Sequence, residues 1–218
     1  MKPMKKVILI GDSIKFGYAK YVQTALDGIA EVDHPKDSAR FAEYTLRYVH
    51  EWKAEHGWPD DVDVVHWNVG LWDALELFGD EPLSTVDYYE MNIRRIHNRL
   101  KMLFPKAKLI FATSTAVLEQ NYDFEFRRHN TNIEAFNAAA LRALADTDEV
   151  INDLYAVTSG CPEDWYSDAV THFECRKGVE QVGGAVVRAI CRELDVTPVA
   201  VDMDTFERET YSAKVIGF

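Results

Sequence analysis

Short apolar runs alternate along this chain with longer segments whose apolar residues recur every three or four positions. Val7–Ile10 is β-branched and apolar, stops at Gly11, and predicts a buried strand. Similar runs predict strands over Glu31–Asp33, Val62–Asn68, Leu109–Ala112 and Val150–Ile151. Helical spacing covers Tyr18–Ile29, Arg40–His56, Thr85–Leu103, Asn130–Ala145 and Lys177–Leu194. In the last of these, Val179, Val182, Val186 and Ile190 return at helical intervals and mark a buried stripe. Pro59 breaks the second helix pattern and Pro105 ends the third. Strands alternating with helices predict an α/β fold, a three-layer α/β/α sandwich around a central parallel sheet of about five strands.

No internal repeat, low-complexity stretch or linker interrupts the pattern, so residues 1–218 read as a single domain. Residues 197–218 follow the last helix without a clear period. They are expected to form a C-terminal extension: an extra strand, a wrap-around arm or a contact for a homo-oligomer.

Composition narrows the function more than the fold. With 218 residues, 47% hydrophobic and 28% charged, the chain is long enough to bury a core without disulfides or metals. Its net charge of −12 argues against a nucleic-acid partner, which needs a basic face, and against docking on anionic membranes. The basic start, Met1-Lys2-Pro3-Met4-Lys5-Lys6, precedes only four apolar residues, too few for a signal peptide. No segment reaches the ~20 apolar residues of a membrane span. The expected location is cytoplasmic, and three cysteines (Cys161, Cys175, Cys191) fit no secreted disulfide framework. No Cys-x-x-Cys or His-x-x-x-His spacing suggests a metal, and no cofactor is implied.

Ligands of a doubly wound sheet sit beyond the carboxyl ends of its strands. Gly11-Asp12-Ser13, Asn68 to Asp73, and Asn152-Asp153 all follow strands, and Asp168 to His172 precede the final helix. Topology therefore gathers a serine, an asparagine, aspartates and a histidine at one edge. A serine hydroxyl needs a neighbouring base to become nucleophilic, and His172 is placed to act near neutral pH. Ser13 could instead simply cap the first helix. The segment is not the α/β-hydrolase elbow, because Ser13-Ile14-Lys15 lacks the second glycine of Gly-x-Ser-x-Gly. Phosphotransfer through Asp12 and a metal fails on detail: one aspartate follows the strand, and there is no Walker lysine loop.

Gly11-Asp12-Ser13 after an N-terminal strand, the Gly70–Asp73 block, Arg128-His129-Asn130, Asn152-Asp153-Leu154 and the late Asp168/His172 pair resemble the SGNH (GDSL) hydrolase family over roughly residues 6–194. The resemblance implies a flavodoxin-like sandwich and a serine esterase with Ser13 as nucleophile, His172 as base and Asp168 as acid. Its substrates would be small acyl esters, with O-acetyl groups on a carbohydrate or other polar alcohol as an example. A catalytically weak or inactive binding protein on the same fold is the alternative.

Three departures from the family pattern bear on that alternative. Asp168-Ala169-Val170-Thr171-His172 has one residue more than Asp-x-x-His, so a bulged loop, Asp164 or a backbone carbonyl could serve His172. Gly70-Leu71-Trp72-Asp73 stands where the family has Gly-x-Asn-Asp. Trp72 thus replaces the oxyanion asparagine; it would line the pocket or join the core, and Asn68 could substitute or be a backbone-bonded strand-end amide. Ser38-Ala39-Arg40 matches the block that supplies a glycine N–H, making the Ala39 N–H a candidate donor. Arg40 is either a solvated charge at a helix start or a pocket residue.

Overall fold

The computed structural model describes residues 4–211; Met1–Pro3 of the basic start and residues 212–218 of the extension lie outside the described residues. Strands β1 (Lys5–Ile10), β2 (Ala30–Asp33), β3 (Val64–Trp67), β5 (Lys108–Ala112) and β7 (Val150–Asn152) form one parallel sheet in the order β2-β1-β3-β5-β7. Two short segments, β4 (Glu76–Leu77) and β6 (Phe126–Arg127), pair antiparallel outside it. Val7–Ile10, Val64–Trp67 and Leu109–Ala112 are all buried, as strands covered on both faces must be. The strand order reverses between β1 and β3, which opens a crevice at their carboxyl ends.

Helices α2 (Ala42–His56), α3 (Val86–Leu103) and α4 (Asn130–Leu144) pack in series, α2 on α3 and α3 on α4. Helix α1 (Ser13–Ala25) packs on the C-terminal helical segment. That segment comprises α6 (Arg176–Gly178), a π-helical turn (Val179–Gly183) and α7 (Gly184–Leu194); the short α5 (Leu154–Thr158) follows β7. A Cβ on Gly183 would come within 2.8 Å of the Tyr21 ring, so the wide turn lets α1 approach closely.

Helix α1 begins five residues before the apolar period becomes legible at Tyr18. Lys15 hides that period: it faces inward, wholly buried, and its Nζ donates to the carbonyls of Pro35 (2.7 Å) and Asp37 (3.1 Å). Burial pushes its ammonium down to about 7. The extension is an arm and a helix rather than a strand. The Val199 N–H donates to Ala25 O, and α8 (Met203–Tyr211) buries Met203 and Phe206 against Val179 and Tyr21. Among the described residues no helix is long and apolar enough to cross a membrane.

The start of α2 is capped from a distance. Its neighbour Phe41 offers no side-chain bond, and the buried Asp73 carboxyl accepts the Ala42 N–H (3.0 Å) and the Ser84 hydroxyl (2.8 Å) instead. Burial pushes Asp73 up to about 7 against the pull of those donors. The native chain therefore holds this proton more tightly than the unfolded chain, where the ordinary 3.8 applies. The contribution to stability falls as pH rises from about 4 to about 7 and is level outside that window. Asp73→Asn is expected to lack this slope. Urea melts at about pH 5 and about pH 7.5 should show the variant gaining on wild type at the higher pH; equal changes in both proteins would refute the assignment.

Candidate active site

The turn from β1 into α1 is built from the three residues that end the first apolar run. Asp12, fully buried, is the helix cap, its Oδ1 accepting the Ile14 N–H at 3.1 Å. Burial raises its carboxyl, opposed by the Ile14 N–H and the neighbouring Asn68 amide. Because Asp12 does the capping, Ser13 is the first helical residue and its hydroxyl is free for another partner. The Ser13 N–H has no protein partner among the described residues. Gly11 has no room for a side chain: a Cβ would lie 2.3 Å from Asn68 Oδ1 and 2.9 Å from the Lys15 Cβ.

The partner of Ser13 arrives 159 residues later, with His172 Nε2 lying 2.8 Å from Ser13 Oγ. Its Nδ1 lies 2.5 Å from Asp168 Oδ2. The other carboxylate oxygen accepts the N–H groups of Val170 (3.0 Å), Thr171 (2.8 Å) and His172 (2.9 Å). The extra residue of the Asp-x-x-x-His spacing is absorbed by Ala169, which takes a left-handed φ of 59°. The loop tightens there around the carboxylate, so its acid still reaches the ring. Asp164, the other candidate, pairs with Lys177. Burial alone would raise Asp168, but the imidazole and the three N–H groups outweigh it and hold the carboxyl well below the usual range. The same carboxylate holds the His172 imidazolium above the ordinary histidine range, against the opposite pull of burial. His66, by contrast, is sealed in β3 beside Asn152, and burial pushes it down to about 3.

A cavity of about 400 Å³ opens over this chain of contacts, walled by Ser13, His172, Asp168, Trp72, Tyr122, Phe126 and Arg128 among others. Trp72 thus occupies a pocket wall. The remaining residues singled out from the sequence lie elsewhere. The Ala39 N–H donates to Gly11 O at 2.8 Å, which removes it as an oxyanion donor and makes it a brace for the turn. Asn68 is buried against Gly11 and beside Asp12, under the turn and outside the cavity lining. Gly70 lies outside the lining too; at φ 148° it has no room for a Cβ, which would meet Ser114 Oγ at 2.5 Å. Arg40 is exposed, stacked 4.5 Å from the Tyr44 ring and 3.5 Å from Asp37.

The segment between β5 and α4, of which the sequence marks only Arg128-His129-Asn130 and gives them no role, supplies much of the wall. Asn121 Nδ2 donates to the Ala169 carbonyl at 2.8 Å, and the Tyr122 hydroxyl bonds Thr171 Oγ1, next to His172. Arg128 crosses beneath, its Nε donating to Leu71 O at 2.5 Å and its Nη1 to the Tyr122 hydroxyl at 3.1 Å. No periodicity marks these residues; Asn121 and Arg128 reach backbone carbonyls far away in sequence, and Tyr122 reaches a side chain of the acid loop.

No protein-family profile matches the chain, and no curated protein is detectably similar to it in sequence. Solved structures are. The lipase/acylhydrolase from Enterococcus faecalis superposes with a TM-score of 0.70 at 19% identity, over 91% of this chain and 100% of that one. A GDSL-like lipase from Bacteroides thetaiotaomicron gives 0.67 at 16%, over 88% and 92%. The fold is that of the SGNH (GDSL) hydrolases. A carbohydrate esterase of family 3 from Talaromyces cellulolyticus shares this SGNH fold with a TM-score of 0.64 at 18%, over 89% and 100%.

The left-handed residue at the acid loop can be tested directly. That conformation costs an L-residue about 1–2 kcal/mol, and glycine escapes the cost. Ala169→Gly is expected to keep or raise the melting temperature, whereas Ala169→Val lowers it and loosens the Asp168–His172 contact. Thermal melts, with the His172 ring protons followed by NMR, check both; a stabilised valine variant would rule out the loop geometry. Asn68→Ala should mainly reduce stability, by about 1–3 kcal/mol for the polar atoms left unpaired.

Proposed function

We propose that the protein is a serine esterase acting on small acyl esters through an acyl-enzyme on Ser13. The observation that carries this reading is the unbroken contact chain Ser13–His172–Asp168, at 2.8 and 2.5 Å, on the wall of a cavity. As Ser13 Oγ bonds to the ester carbonyl carbon, His172 Nε2 takes the hydroxyl proton. Asp168, bonded to Nδ1, fixes the tautomer and stabilises the imidazolium. His172 then returns the proton to the departing alkoxide as the C–O bond breaks. In the second half His172 removes a proton from water, which attacks the acyl carbon; collapse releases the acid and restores Ser13.

The oxyanion has fewer donors in this reading than the family pattern implies. The Ser13 N–H points from the first turn of α1, at the positive end of the helix dipole. The Ala39 N–H is spent on Gly11. A cavity of about 400 Å³ suits a short acyl group and a compact alcohol. The carbohydrate esterase among the structural neighbours, and the Trp72 face on the wall, support an O-acylated polar alcohol.

Ser13→Ala and His172→Ala are each expected to abolish turnover of 4-nitrophenyl acetate, nearly as completely as the double change, because the groups act as a unit. A fluorophosphonate probe should label wild type and not Ser13→Ala. Absence of labelling in folded wild type would overturn the reading and favour a binding protein.

The pH profile follows from the raised imidazole. His172 must be neutral to accept a proton, so kcat/KM rises with pH through a midpoint above the ordinary histidine value. Asp168→Asn removes the charge that raises it, and the midpoint should drop along with the rate. A midpoint that rises or stays fixed in Asp168→Asn would exclude Asp168 as the acid.

A further inference from the structure

Arg128 is a charge with no counter-ion where the proposed substrate would sit. The residue is only 4% exposed, yet it lines the cavity beside Ser13, Trp72 and His172. Two of its nitrogens are occupied by uncharged acceptors, the Leu71 carbonyl and the Tyr122 hydroxyl. Nη2 has no hydrogen bond among the described residues. No Arg128 nitrogen is among the fully buried unpartnered atoms, so Nη2 keeps contact with the cavity. The Phe126 ring lies 4.9 Å from the guanidinium carbon and fixes its plane.

The carboxylates around it are committed elsewhere. Asp168 is saturated by His172 and three N–H groups. Asp123, on the same wall, accepts the N–H groups of Glu125 and Phe126. Asp12 feels the Arg128 charge from under the turn without forming an ion pair, and caps α1. Burying a cation without a partner is costly, and an incoming anion would recover much of that cost at the Nη2 edge of the planar fork.

We infer that Arg128 is an anion subsite, and that the ester this site takes carries one carboxylate close to its scissile bond, as an acylated hydroxy acid or sugar acid does. With Asp123 and Asp168 already on the cavity wall, one guanidinium can offset a single further negative charge at most. A phosphate dianion would leave charge uncompensated inside a protein of net charge −12. This inference rests on the esterase reading for the identity of the reacting bond, though not for the binding of the anion.

Two measurements test it separately from that reading. In Ser13→Ala, which turns nothing over, benzoate should quench tryptophan fluorescence through Trp72 and benzamide should not; adding Arg128→Gln should abolish the benzoate response. Equal responses to the two ligands, or a benzoate response that survives Arg128→Gln, would overturn the subsite whatever the chemistry. In catalytically intact protein, the kcat/KM ratio of 4-acetoxybenzoate to 4-acetoxybenzamide should fall about 10- to 100-fold in Arg128→Gln and less in Arg128→Lys, which keeps the charge but not the fork. Equal losses on both esters, with the ratio unchanged, would assign Arg128 to the oxyanion or the scaffold and refute the subsite. Failure of Ser13 to react with fluorophosphonate, with the benzoate response intact, would sink the esterase reading alone.

Discussion

The buried Asp12 carboxylate decides where α1 starts, and the position of every group around Ser13 follows from that start. An aspartate at this place takes the capping task that a serine one residue later could have taken, and the hydroxyl is left for the imidazole. The turn is then pinned from three sides. Asn68 presses on Gly11 from the end of β3, the Ala39 N–H holds the Gly11 carbonyl, and Lys15 ties the first turn of α1 to the carbonyls of Pro35 and Asp37. These bonds join the segments that follow β1, β2 and β3 at the point where the strand order reverses. A misplaced turn would have to break several of them together.

The acid loop uses the opposite strategy. Its carboxylate is only partly buried, and its hold on the imidazole comes from local backbone geometry rather than from distant packing. One oxygen gathers three successive N–H groups while the other meets Nδ1, a division of labour that orients the carboxylate before the ring arrives. The left-handed Ala169 is what permits the longer spacing. Tyr122 and Asn121 then tether this loop to the segment before α4, so the loops that follow the neighbouring strands β5 and β7 share one wall.

Much of the architecture is legible in the sequence because the central strands β1, β3 and β5, buried on both faces, must be largely continuous apolar runs. Ser13, Asp168 and His172 are legible for a related reason: strand ends in this topology converge. Residues whose place depends on a remote backbone atom are not. The Ala39 N–H is spent on a carbonyl 28 positions away, as the pairing with Gly11 shows, and nothing in Ser38-Ala39-Arg40 encodes that bond. Lys15 and Asp73 are polar residues in the interior; the first blurs the helical period of α1, and nothing local shows that the second caps α2, whose start the apolar spacing places at Arg40. Arg128 sits in a run of basic and polar residues that looks like an ordinary surface turn. Its burial is a property of the loops it bridges.

The long separation between Ser13 and His172 has a consequence for biosynthesis. The serine leaves the ribosome well ahead of its histidine, which is 159 positions behind. In between, four parallel crossovers must close, the kind of non-local pairing that assembles late and slowly. No nascent chain ending before His172 can hold the serine–imidazole contact. On the esterase reading, reactivity at Ser13 reports completion of the whole sheet, and a probe for that reactivity doubles as a clock for folding on and off the ribosome.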